Sequence, residues 1–112
     1  MSFIGSYIIP IQSLCKDYHV KSLFAFGSST SDRFAANSDV DLLVDFEELD
    51  PLDYADNYFK LKFHLQDLLH RPVDLLETKA LKNPFLKSEI DRTKVPVYLK
   101  QKGMTQYSVN QA

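Results

Sequence analysis

Apolar and polar positions follow two rhythms along this chain, and the rhythms divide it into elements. Ile11, Leu14, Cys15 and Tyr18 recur at helical spacing behind Pro10, which predicts a first helix over about Pro10–Asp17. The run Leu23-Phe24-Ala25-Phe26 predicts a strand over Ser22–Phe26, and Asp39-Val40-Asp41-Leu42-Leu43-Val44-Asp45 predicts another. Ser28–Phe34, between them, reads as a short helix. Asp50-Pro51 has the form of an N-cap with proline in the first turn, and Asp53 complements the helix dipole. A long helix to about Leu69 follows, with Tyr54, Tyr58, Leu61, Leu65, Leu68 and Leu69 as its buried stripe. Arg71-Pro72 ends it before a third apolar run, Pro72-Val73-Asp74-Leu75-Leu76. Asn83-Pro84 repeats the capping device for a final helix of about eight residues. Val95–Leu99 reads as a short edge strand, because Pro96 lacks the N–H an inner strand needs. The sum is an α/β (α+β) fold, a small mixed β-sheet flanked by helices. It forms one domain over residues 1–102, and the polar tail over 103–112 is expected to fray.

The strand period of two places Asp39 and Asp41 on one face and Val40 and Leu42 on the other. Two carboxylates crowded together raise each other's pKa and weaken the fold unless a cation compensates. Magnesium suits such a pair, since it takes one or two protein carboxylates and fills its remaining positions with water and substrate phosphate. Gly27-Ser28 lies ten residues upstream. Glycine lets the backbone approach a phosphate closely, and Ser28 adds a hydroxyl and an N–H at the expected helix start. A lone Asp-x-Asp is usually a pair of solvated acids. Four fixed residues at about 5 to 7% usage each, however, match a chain this long by chance on the order of once in a thousand.

This segment resembles the signature of the polymerase-beta-like nucleotidyltransferase superfamily, in its minimal nucleotidyltransferase branch. The resemblance covers nearly the whole chain. It implies that fold, with Gly27, Ser28 and Ser29 holding the nucleotide and Asp39, Asp41 and Asp74 serving as catalytic metal ligands. It further implies two Mg2+ ions, ATP as substrate and transfer of AMP to a hydroxyl, with Asp74 best placed as general base. Many members carry a second glycine four residues after the serine, where this chain has Asp32 followed by Arg33 and Phe34. Members of this branch commonly pair with a HEPN-domain ribonuclease toxin and act as its antitoxin, some by adding AMP to a tyrosine. Two other readings are a non-catalytic module that masks its partner and a small-molecule enzyme of the aminoglycoside-modifying kind.

Composition bounds these readings. At 112 residues, 45% of them hydrophobic and 12% aromatic, the chain can bury a core but has no room for a substrate-gripping domain, so a large acceptor must dock from outside. No stretch approaches the roughly 18 apolar residues of a membrane span, and the N-terminus lacks signal-peptide regions, so a cytoplasmic protein without a membrane partner is expected. Cys15 is the single cysteine, which excludes an internal disulfide. The net charge of −2 conceals an asymmetry. Residues 1–77 hold six basic and thirteen acidic side chains, whereas residues 78–112 hold seven and two. The C-terminal cations could meet a triphosphate or an acidic partner, or form a solvated face. No basic stripe with interleaved aromatics is present, which argues against direct nucleic-acid binding. His19, His64 and His70 lack zinc-site spacing, and neither a Gly-x-Ser-x-Gly elbow nor a Walker loop occurs.

Overall fold

The computed structural model describes residues 2–27 and 39–100. In chain order these form α1 (Ser2–Gly5), α2 (Ile8–Asp17), β1 (Val20–Ala25), β2 (Val40–Phe46), α3 (Pro51–Leu69), β3 (Val73–Glu77), a 3-10 turn (Thr78–Ala80), α4 (Pro84–Thr93) and β4 (Val95–Leu99). One four-stranded mixed sheet has the order β3-β2-β1-β4. β1 is antiparallel to both neighbours, and β2 and β3 are parallel. Pro96 lies in the edge strand, as its missing N–H requires.

Burial explains the arrangement. On β2, Val40, Leu42, Val44 and Phe46 face the main core, with Val20, Leu23 and Ala25 of β1, Ile11 and Cys15 of α2, and Leu61, Leu65 and Leu69 of α3. Each fully buried aliphatic side chain there stabilises the fold by about 1.5–3 kcal/mol relative to exposure. Tyr54, Tyr58 and Leu68 of the expected stripe are only partly buried at its margin. Burial pushes the Cys15 thiol up to about 12, so it is a packing residue. On the opposite face of the sheet, Phe26 and Leu43 meet Ile90 of α4 in a smaller cluster flanked by Phe24, Leu76 and Leu81.

Several boundaries differ from the sequence-based expectation. The first long helix begins at Ile8 rather than Pro10, because proline in the first turn sacrifices only an N–H that has no intrahelical partner. β1 starts at Val20, which is buried and pairs with Phe46, instead of at Ser22. The short α1 carries no periodicity that a sequence could display. Ser28–Phe34 and residues 103–112 lie outside the described residues.

The two Xaa-Pro helix starts behave differently. Asn83 Oδ1 accepts hydrogen bonds from the N–H groups of Phe85 at 2.9 Å and Leu86 at 3.2 Å. Asp50 makes no side-chain capping bond and contributes only its backbone carbonyl, which accepts from Tyr54 N–H at 2.8 Å. α4 runs for ten residues, slightly longer than expected. Asn83→Ala should therefore lower stability by about 1 kcal/mol, and Asp50→Ala by less than about 0.5 kcal/mol. Urea unfolding of both variants measures the contrast, and equal losses would refute this account of the caps.

Candidate active site

The carboxylates of interest sit at one end of the sheet. In the parallel β2–β3 register, Asp41 lies directly across from Asp74, which puts both side chains on the same face. Asp39 immediately precedes β2 and is exposed, as is Asp74, whereas Asp41 is half-buried. The backbone around Asp41 is fixed on both sides: its carbonyl accepts from Phe26 N–H at 3.1 Å, and Val40 N–H donates to the Pro72 carbonyl at 2.9 Å.

Side chains from α3 hold the strand that carries Asp74. Gln66 Oε1 accepts from Val73 N–H at 3.0 Å, and Tyr58 Oη donates to the Leu75 carbonyl at 2.6 Å on the outer edge of the sheet. His70 ends α3 in the left-handed conformation, with φ 57° and its N–H on the Gln66 carbonyl. The chain then turns through Arg71-Pro72 into β3. Sequence reasoning took Tyr58 as core and passed over Gln66. Neither residue's backbone-tying role has a local signature, since each bond joins positions that only the tertiary fold brings together.

Gly27 has φ +67°, a conformation that disfavours any side chain, and a Cβ built on it would lie 2.7 Å from Asp41 Oδ2. The glycine therefore leaves room for the Asp41 carboxylate, a role the sequence pattern did not reveal. Ser28, Ser29, Asp32 and Arg33 lie outside the described residues.

Burial holds the Asp41 carboxyl above the usual carboxylate range, and the nearby charges of Asp74 and then Asp39 raise it further. All three acids thus share one electrostatic neighbourhood. Among the described residues, no three His, Cys, Asp or Glu side chains converge closely enough to form a ready-made metal cage. The donors are nonetheless hard oxygens whose mutual repulsion a divalent cation would relieve. An Asp41–Asp74 pair suits a metal that draws its other ligands from water and substrate. Elsewhere, His64 stacks on Tyr18 with centroids 5.6 Å apart, and His19 and His70 occupy left-handed turn positions. Among the described residues no helix is long and apolar enough to cross a membrane.

The "Polymerase beta, Nucleotidyltransferase" family matches residues 10–103 of this sequence. The chain belongs to that family. Its members are nucleotidyltransferases, and the acid pair beside Gly27 occupies the region this match spans. A Methanocaldococcus jannaschii protein provisionally named a protein adenylyltransferase is 41% identical over 78 residues, which cover 70% of this chain and 76% of that one. A solved structure provisionally described as a minimal nucleotidyltransferase superposes with a TM-score of 0.69 and 30% identity, covering 82% of this chain and 90% of the other. The fold is also shared, at a TM-score of 0.61 and 18% identity, with a chain in the complex of the tri-AMPylated HEPN toxin of Shewanella oneidensis and its MNT antitoxin. That match covers 87% of this chain and 73% of the other.

The raised Asp41 pKa has a defined consequence for stability. The folded chain holds this proton more tightly than the unfolded chain, so the contribution is fully present below the unfolded-state pKa. It is lost as pH rises through the raised native value. Asp41→Asn removes that loss, so the variant should melt at a higher temperature than the parent near pH 7, with the advantage vanishing in acid. Millimolar magnesium should raise the melting temperature of the parent and leave the variant unmoved. Melting curves across pH, with and without the ion, check both statements, and a variant less stable at neutral pH would contradict them.

Proposed function

We propose that this chain transfers AMP from ATP to a hydroxyl of a partner protein, a tyrosine of a HEPN-domain toxin, and so acts as its antitoxin. The observation that carries the reading is the register of Asp41 against Asp74 beside Gly27, in a chain of the nucleotidyltransferase family. Similarity to a protein provisionally named an adenylyltransferase supports AMP as the group moved. The Shewanella complex, which joins an MNT antitoxin to an AMPylated HEPN toxin on the same fold, supports the partner.

In this reading Gly27, with Ser28 and Ser29 after it, positions the triphosphate, while Asp39, Asp41 and Asp74 hold divalent magnesium. When bound, the metal supplies neutralisation of the polyphosphate charge and a lowered pKa for the acceptor hydroxyl. Asp74 is exposed on the edge strand, where a docking protein can reach it, and takes the proton from that hydroxyl. The hydroxyl oxygen bonds to the α-phosphorus as the bond to the β-phosphate oxygen breaks, and pyrophosphate departs in line. Gln66 and Tyr58 keep Asp74 in register while this occurs.

The test incubates the chain with α-labelled ATP, magnesium and a HEPN toxin, followed by intact mass analysis of both proteins. The toxin should gain the mass of AMP, and Asp41→Ala should slow the gain by more than about a hundredfold, beyond what loss of an outer-shell partner costs. Toxin neutralised without any gain in mass would instead establish masking by contact.

A further inference from the structure

Seven basic side chains fall in residues 78–112, and contacts distinguish four of the six described ones by location. Lys100 pairs with Glu47, away from the acids. Arg92 pairs with Glu89 on the exposed side of α4, and Lys79 lies 4.3 Å over the Tyr54 ring beside β3. Lys94 is different. It directly precedes Val95, which pairs with Ala25, so it stands at the end of the sheet where Phe26 and Gly27 leave β1. Its Nζ lies 4.6 Å from the centroid of the Phe24 ring. Phe24 is the cross-strand neighbour of Leu43, two residues from Asp41, and both belong to the cluster on the face that carries the acids. The ammonium therefore sits on the acid-bearing face over β1, the strand that separates β4 from the β2 strand of Asp41.

We propose that Lys94 binds the terminal phosphates of the nucleoside triphosphate. The proposal rests on the nucleotidyl-transfer reading and deepens it by naming a cation for the substrate's polyphosphate. Three carboxylates repel that polyphosphate, and so does the negative end of the α4 dipole, which Lys94 caps. A lysine ammonium on a flexible stem offsets both and binds phosphate as a point charge. Its present partner is Asp91, at 3.1 Å, and the two side chains are 32% and 51% exposed. Such a half-solvated pair contributes little, so exchanging Asp91 for phosphate costs little. The Phe24 ring beneath the ammonium restrains it near the site beforehand.

The test is calorimetric titration of the full chain with ATP and with AMP in magnesium buffer. Lys94→Gln should weaken ATP binding about tenfold, the worth of one charge-assisted contact, and leave AMP within about twofold. Lys94→Arg should retain most of the ATP affinity. Asp91→Asn, which frees the lysine, should bind ATP more tightly. Parallel loss of ATP and AMP, or no loss, in a folded Lys94→Gln chain overturns the assignment. Should that variant fail to fold, Asp91→Asn decides: tighter ATP binding supports the proposal and unchanged binding overturns it. A parent chain that binds no ATP overturns the nucleotidyl-transfer reading and Lys94's role with it.

Discussion

The contact on which the site depends is the approach of the Asp41 carboxylate to the bare Cα of Gly27. Any side chain there would stand 2.7 Å from Asp41 Oδ2 and would also be forced into a left-handed backbone. Moving that carboxylate would break its alignment with Asp74, which the parallel register sets residue for residue. Burial and two neighbouring acids then raise the pKa of Asp41, so the fold carries electrostatic strain where it needs negative charge. Such strain is tolerated where function requires it and offset by the packing around it.

The two faces of the sheet divide the work. One buries an unbroken apolar layer against α2 and α3, and this layer supplies most of the stabilisation. The other holds apolar side chains, where α4 covers Leu43 and Phe26 with Ile90, and carries Asp41 half-buried and Asp74 exposed. Strand pairing and this packing therefore make the acid-bearing strands rigid. Gln66 and Tyr58 extend that rigidity to β3, an edge strand that would otherwise be held on one side only.

Much of this was legible from the chain because local chemistry determines it. The alternation around Val40-Asp41-Leu42 set Asp41 on the face away from the main core, Pro51 and Pro84 marked the helix starts within a residue, and Pro96 marked an edge. What escaped depends on distant partners. Leu43, on the same face as Asp41, is buried because α4 crosses that face. Asp50 and Asn83 look alike before proline, but only Asn83 turns its side chain onto the helix N–H groups. Gly27 signalled close approach in the sequence, and only the fold shows that Asp41 is what approaches. The C-terminal cations were likewise equivalent until, among the described ones, the β1–β4 register placed Lys94 at the end of the sheet where β1 finishes.

The most direct measurement is a crystal structure of the chain with manganese and a non-hydrolysable ATP analogue, read by anomalous scattering. The account predicts a metal peak about 2.0–2.2 Å from carboxylate oxygens of Asp41 and Asp74, with the triphosphate passing over Gly27. Metal and nucleotide bound away from these residues, with Asp41 and Asp74 facing only water, would contradict it.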